Sequence, residues 1–464
     1  MIDWNMKPSK PKRPLFDTGE ALGELLLKPF QRFSSMQAAG GALLFFLTIV
    51  ALIWSNSDFA DSYDWLKHFN LDLRIGSFSL GHSLHFWIND GLMTFFFFMV
   101  GLEIKREFLI GELSSLRQAS LPLFGAVGGM VVPASIYYML NAQTPSANGW
   151  AIPMATDIAF TMAALTLLGS KVPHPLKVFV TALAIVDDIG AVTVIAIFYS
   201  SDLSTNYLLL ASFLVIVLIC FNLLGYRKPL PYIVVGLFVW LAIYMSGIHS
   251  TIAGILVAFT IPARTRRDMA HFLDRLTGIV NRLKPLETSD TRNNGEENRQ
   301  AIVNKIEDLC KDVQTPLQRM EESLNPWVVF VIVPLFALVN AGVSVNSSDI
   351  LKILSAPVGL GVVMGLLIGK QFGISVACWI AIRMRFAELP SGVKFSQIYG
   401  ASIICGIGFT MSIFVADLAF GQSINLDYAK ISILVGSVLS FLLGLLIIAF
   451  VSPQKTDLDV EQPE

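Results

Sequence analysis

Val178-Phe-Val-Thr-Ala-Leu-Ala-Ile-Val-Asp-Asp-Ile-Gly-Ala-Val-Thr-Val-Ile-Ala-Ile-Phe198 decides the reading of this chain. A helix needs roughly 20 mostly apolar residues to cross a bilayer, and this run supplies them. Asp187 and Asp188 stand at its middle. An ionisable side chain at the centre of a spanning helix costs about 2.5–3.5 kcal/mol on insertion scales, so such residues usually mark function. Adjacent helical positions point about 100° apart. One carboxylate can therefore face a cavity while the other faces a neighbouring helix. Two carboxylates this close also couple their titrations, which suits a site that exchanges a proton for a metal ion. Their oxygens are hard ligands, and Na⁺ or Li⁺ would accept them by the logic that governs Ca²⁺ and Mg²⁺. A purely structural pair, bonded to neighbouring helices, is the alternative.

The rest of the 464-residue chain is built in the same way. It is 54% hydrophobic and only 15% charged, with a mean hydropathy of +0.63. Soluble domains carry roughly 25% charged residues. The composition is that of an all-α polytopic membrane protein. The net charge of −2 gives no reason to expect nucleic acid or an acidic partner. Cys220, Cys310, Cys378 and Cys405 form no CxxC pair and read as packing residues, with no disulfide framework or zinc site. No apolar segment with a small-residue cleavage site precedes the first long run, so no cleaved signal is expected.

Apolar runs predict spans near 36–54, 84–103, 119–140, 150–168, 174–199, 206–224, 230–246, 248–261, 327–343, 355–382, 397–420 and 428–451. They divide the chain into a cytoplasmic N-terminal segment (1–35), helices 1–8 (36–261), a long cytoplasmic loop (262–325), helices 9–12 (326–451) and a tail (452–464). The basic residues test the count, because Lys and Arg favour cytoplasmic loops. With the N-terminus inside, the outer segments hold only Lys67, Arg74, Lys352 and Lys430. One helix more or fewer would scramble that split. The expectation is about twelve spans with both termini cytoplasmic. Residues 71–80, Leu-Asp-Leu-Arg-Ile-Gly-Ser-Phe-Ser-Leu, alternate around a Gly-Ser turn and predict a small outer β-hairpin. Its exposed edges make it a candidate homodimer contact. The 262–325 loop reads as a solvated linker with helical pieces near 270–283 and 301–320.

Few other charges escape the helix ends. Asp157 follows Thr156 in Ile152-Pro-Met-Ala-Thr-Asp-Ile-Ala, where Pro153 and small polar residues predict an interrupted helix. An aspartate there can ligate an ion or simply neutralise converging helix N-termini. Lys370, inside a long apolar helix, wants a carboxylate or the carbonyls of a half-helix, unless it snorkels. Gly406 and Gly408, beside Thr410 and Ser412, predict a second break. Each broken helix is flanked by an intact span on either side, and the two triplets enter the membrane from opposite sides, which makes an inverted repeat. Asn89 and Asp90 open the second helix. Glu103, Lys105, Arg106 and Glu107 close it, and helix-end polarity explains both groups without function. His249 heads the eighth helix; an imidazole titrates near neutrality, but a structural role is the plainer reading.

At these residues the chain resembles the NhaA family of sodium–proton antiporters. The resemblance runs in order through Trp87-Ile-Asn-Asp-Gly-Leu-Met, Gly101-Leu-Glu-Ile-Lys-Arg-Glu, Gly149-Trp-Ala-Ile-Pro-Met-Ala-Thr-Asp-Ile-Ala-Phe, Leu183-Ala-Ile-Val-Asp-Asp-Ile-Gly-Ala, Ser246-Gly-Ile-His, Leu367-Ile-Gly-Lys and Cys405-Gly-Ile-Gly-Phe-Thr-Met-Ser-Ile-Phe. It covers essentially 36–450. It implies twelve helices, two of them interrupted and crossed at mid-membrane. It implies an electrogenic exchanger of Na⁺ or Li⁺ for protons in a bacterial inner membrane, with no cofactor. Asp188 would carry the ion, and Asp187 would pair with Lys370 in one state. Thr156 and Asp157 would sit near the site, and Glu103, Arg106 and Glu107 at a cytoplasmic entrance that senses pH. The outer hairpin would make a homodimer. Two features depart from the family: the 262–325 loop looks longer, and Glu321, Glu322 and Asn325 stand where family members can carry histidines. An intramembrane aspartate-pair enzyme and an uncoupled cation channel are the competing classes. Intramembrane aspartate proteases split their acids between helices, and prenyltransferases need further spaced aspartates. After Asp188 the next aspartate is Asp202, beyond the helix end.

Overall fold

The computed structural model describes residues 18–75, 78–200, 203–263, 274–275, 277–278, 314–344 and 349–451. In chain order these form α1 (Thr18–Ser55), α2 (Ala60–His68), strands β1 (Asn70–Ile75) and β2 (Phe78–Ser83), α3 (Leu84–Ile110) and α4 (Leu116–Asn141). A 3₁₀ segment, Ala147–Met154, leads to α5 (Ile158–Leu167), then α6 (His174–Phe198), α7 (Thr205–Leu223), α8 (Pro229–Met245) and α9 (Thr251–Thr260). The second part holds α10 (Pro316–Asn340), α11 (Ile350–Ser355), α12 (Pro357–Arg383), α13 (Phe395–Ile404), α14 (Phe409–Phe420) and α15 (Ile424–Val451). Among the described residues nine helical stretches are long and apolar enough to cross a membrane. The pair α13–α14, bent by 49°, makes a tenth when taken as one span, and α8 and α9 are shorter apolar helices of 17 and 10 residues.

The distribution of polarity is that of a protein dissolved in lipid. Phe213, Leu237, Phe238 and Leu446 are exposed, whereas Thr156, Asp157, Asp187, Asp188, Lys370 and Ser412 are buried. Water would not tolerate so much contiguous apolar surface. With no hydrophobic drive between helices in lipid, close packing depends on small residues. The approach of α4 to α12 shows this. A Cβ added at Gly128 would strike the Gly373 carbonyl, and one at Gly373 would strike the Gly128 carbonyl. These two helices are one flanking span from each of the two expected repeats. Three helices also carry a π-helical turn, at Trp87–Leu92, Val328–Ile332 and Gly365–Gly369. Such bulges favour functional positions, and the last one ends immediately before Lys370.

Several boundaries differ from the sequence reading. α1 begins at Thr18, well before the apolar run at Met36. The ninth span begins at Pro316, eleven residues before the expected start at 327. A capping box starts it: Thr315 accepts from Gln318 N at 3.1 Å while Gln318 Oε1 accepts from Thr315 N at 3.1 Å. Its first turns are polar, so hydropathy alone does not reveal them. The helical pieces expected at 270–283 and 301–320 lie mostly outside the described residues; Pro316–Met320 belong to α10. The hairpin spans 70–83, with Leu71 paired to His82 and Leu73 to Leu80, and its Gly76-Ser77 turn lies outside the described residues. Lys430, counted with the outer segments at the edge of the expected span 428–451, is buried inside α15.

Candidate functional site

Each broken helix fails where its sequence cannot supply a continuous backbone ladder. The Ala147–Met154 segment contains Pro153, which lacks an N–H, and the chain extends at Ala155 before α5 begins. The second break runs from Cys405 to Gly408 between α13 and α14. Breaks expose carbonyls and amides that lipid cannot satisfy. Here the two breaks satisfy each other. Asp157 N donates to Ile407 O at 2.7 Å, and Thr156 Oγ1 donates to Cys405 O at 2.9 Å. Ser412 Oγ donates to Ile152 O at 2.8 Å. The Asp157 carboxylate accepts from Phe160 N at 3.1 Å, from Thr410 N at 3.1 Å and from Thr410 Oγ1 at 2.5 Å. One aspartate thus caps two helix N-termini, its own α5 and the α14 of the other repeat.

The acid pair lies beside this crossing on α6. Asp187 and Asp188 are each 1% exposed. Lys370 Nζ is 2.5 Å from Asp187 Oδ2, and neither side chain reaches solvent. Gln371 of the same helix is hydrogen-bonded to Tyr399, and Ser375 to Ser402 at 2.9 Å, so α12 is tied to α13 around the lysine. Asp188 faces a cavity of about 40 Å³ with Gln37, Glu103, Asp157 and Thr410 in its wall. That volume holds a water-sized guest with room to spare, since one water needs about 10–15 Å³ on this measure. Among the described residues, the buried carboxylate oxygens that receive no donor from the protein are Asp187 Oδ1, Asp188 Oδ1 and Glu103 Oε1. A buried acceptor without a partner is costly, and a cation or proton supplies what the protein does not.

The remaining residues singled out in the sequence separate into two clusters at opposite ends of α3, about 25 Å apart at 1.5 Å per residue. At the hairpin end, Asn89 joins Asn340 and Asp417. Asp90 accepts from Ser250 Oγ at 2.7 Å and lies 3.6 Å from His249 Nε2. His249 sits in the turn before α9 rather than on the helix. At the other end Arg106 contacts Glu107 at 2.9 Å and Glu321 at 3.4 Å. Glu103 does not belong to that end cluster by position alone. It is buried and shares the cavity with Asp188, so helix-end polarity does not account for it. Gly406 and Gly408 pack at the crossing, where a Cβ on Gly406 would strike the Leu366 carbonyl. Sequence reading missed Gln37, His85, Asn340 and Asp417. Asp417 left a signal, a carboxylate within the apolar run Phe409–Phe420; the others left none.

A bundle of apolar helices in which two interrupted members cross beside a buried acid pair defines a secondary transporter of the inverted-repeat type. The comparisons agree. Residues 31–448 match the model of the family described as Na⁺/H⁺ antiporter 1, and the chain belongs to that family. It is 46% identical over 412 residues to the Na⁺/H⁺ antiporter NhaA of Oleidesulfovibrio alaskensis, covering 89% of this chain and 91% of that one. The NhaA of Koribacter versatilis is 47% identical over 421 residues, 91% of each chain. That of Acidithiobacillus ferrooxidans is 45% identical over 436 residues, 93% of this chain and 99% of its own.

Proposed function

We propose that this protein is an electrogenic antiporter that extrudes Na⁺ or Li⁺ from a bacterial cell in exchange for protons, with Asp188 as the carrier. The observation that carries this reading is the contrast within the pair. Each aspartate has an Oδ1 without a donor, but Asp187 Oδ2 is engaged by Lys370 at 2.5 Å, while Asp188 lines the cavity that also holds Glu103. A proton and a hard cation compete for the Asp188 carboxylate. When Na⁺ binds, Asp188 gives up its proton, and the Asp187–Lys370 pair opens and releases a second proton. More positive charge then moves inward than outward. Rocking of one bundle against the other exposes the site to each side in turn.

The Arg106 end of α3 faces the cytoplasm in this reading, together with both termini, and the hairpin faces the outside, as the bias of Lys and Arg requires. The bilayer is the bacterial inner membrane. Glu103, Arg106, Glu107 and Glu321 form the inner funnel and set the response to pH. The hairpin pairs edge to edge with a second copy. The test is a fluorescence-quench assay in everted membrane vesicles. Adding Na⁺ dissipates a respiration-built proton gradient, and Asp188→Asn abolishes the effect. A variant that dequenches as well as the parent sinks the mechanism.

A further inference from the structure

Asp417 plays no part in the exchange just described, yet it is a carboxylate on the same broken helix. Thr410, Phe414 and Asp417 occupy positions i, i+4 and i+7 of α14 and share one face. Thr410 is at the ion site. One turn toward the hairpin, the buried Phe414 ring lies 5.6 Å from Phe97 of α3, 6.1 Å from Phe336 of α10 and 5.4 Å from His249. One turn further, Asp417 Oδ2 accepts from Asn89 Nδ2 at 3.0 Å, and Asp417 Oδ1 lies 3.8 Å from His85 Nε2. Lys430 of α15 and Lys67 of α2 interact electrostatically with this carboxylate.

The bonds in this layer are unevenly shared. Asn340 Nδ2 donates to Asn89 Oδ1 at 2.8 Å, Asn89 Nδ2 lies 3.3 Å from Asn340 Oδ1, and His85 Nε2 lies 3.0 Å from Asn340 Oδ1. These bonds lock α3 to α10. α14 joins that pair through Asp417 and through apolar ring contact at Phe414. A shift of α14 against α3 and α10 would break the Asn89 and His85 contacts and leave the α3–α10 lock intact.

We propose that this stack is the closed outer gate of the ion path, with Phe414 as its seal and Asp417, held by Asn89 and His85, as its latch. The proposal rests on the antiport reading for its direction, since it takes the hairpin side as the outside. Opening requires only that α14 slide or tilt away from the α3–α10 pair. Phe414 then leaves its ring cage, and Thr410 and the cavity beyond it open to the hairpin side.

The test uses accessibility, which does not depend on transport. Met411 lines the ion cavity, and Met411→Cys, with the four native cysteines replaced by serine, provides the reporter. A membrane-impermeant maleimide is applied to right-side-out and to everted vesicles. Losing a charge-assisted hydrogen bond shifts a two-state equilibrium by about ten-fold or more. Asp417→Ala is therefore expected to label at least about ten-fold faster from the hairpin side and more slowly from the opposite side. Asp417→Asn, which keeps the side-chain volume and leaves the bonds of Asn89 and His85 to Asn340 in place, is expected to shift labelling in the same direction by a smaller factor, and it decides the matter if Asp417→Ala does not fold. Unchanged labelling, or an equal rise from both sides, overturns the latch and marks Asp417 as structural. Failure of the Asp188→Asn test would remove the exchange mechanism and leave the labelling result standing.

Discussion

Removing Lys370 isolates the best-defined interaction in the site. Its ammonium and the Asp187 carboxylate are 2.5 Å apart and fully withdrawn from solvent. Breaking a buried pair by deleting one partner costs about 3–5 kcal/mol, because the other charge is stranded. Asp187 is an extreme case, since its Oδ1 already lacks a donor. Lys370→Met keeps most of the side-chain volume and should therefore destabilise by that amount. At roughly 1–2 °C per kcal/mol for a chain of this size, the detergent-solubilised protein should melt ~3–10 °C lower. The decisive comparison is with the double variant Lys370→Met, Asp187→Asn. Replacing both members of a buried pair is often nearly neutral. The double variant should recover most of the lost melting temperature while still failing to exchange Na⁺ for protons with parental stoichiometry. A single variant as stable as the parent would refute the argument, and so would a double variant no more stable than the single.

The crossing, the repeat interface and the outer surface each give a further test. Asp157→Ala removes caps from two helices at once and should cost about 2–4 kcal/mol in chemical denaturation, twice the upper range for one cap, whereas Asp157→Asn keeps an acceptor and should cost less than half of that. Gly128→Leu should prevent folding or assembly of the helix bundle, read as loss of a monodisperse peak in size-exclusion chromatography, because its side chain would enter the Gly373 backbone. Lys67, half-buried beside Tyr63 and 3.3 Å from Gly342 O, is pushed below the ordinary lysine value, mainly by burial, with Asp64 opposing. Its ammonium therefore burdens the folded state at neutral pH, and the burden lifts as pH rises through the lowered value toward the ordinary one. The melting temperature of Lys67→Met relative to the parent should accordingly fall between pH 7 and about pH 10; a difference that stays flat or rises would count against it.

Much of this architecture is written in the apolar runs. Lipid imposes one dominant constraint, and the positions of Asp187, Asp188, Pro153 and Gly406 stand out because they violate it. The basic residues add a second, independent signal. What escaped was whatever did not look costly. Gln37 and Asn340 are neutral and pass for ordinary polar residues near helix ends. The first turns of α10, Pro316–Trp327, are amphipathic and look like loop, although Thr315 and Gln318 carry the capping-box spacing. Lys430 counts with the outer segments because it stands at the edge of the expected span 428–451, yet α15 starts six residues earlier, at Ile424. Glu103 suffered the opposite error: its neighbours Arg106 and Glu107 sit at a true helix end, and it borrowed their explanation. One turn along a helix separates a capping group from a member of the cavity.

The crossing also bears on how ions are held. Interrupted helices are commonly credited with binding ions through their exposed dipoles, and Asp157 looked like a possible ligand for that reason. Here several of the exposed groups are already matched. Cys405 O and Ile407 O are taken by Thr156 and Asp157, Ile152 O by Ser412, and both Asp157 oxygens by the amides of Phe160 and Thr410 and the hydroxyl of Thr410. Among the described residues, the buried carboxylate oxygens left wanting a partner are Asp187 Oδ1, Asp188 Oδ1 and Glu103 Oε1. On these bonds the crossing is first a joint, which holds two half-helices together while they move. Selectivity and proton competition then belong to the acids that face the cavity. Substitutions at Thr156 or Ser412 should slow turnover or loosen the fold with the ratio of Na⁺ to Li⁺ transport unchanged, whereas Glu103→Gln, which alters the cavity wall itself, should change that ratio.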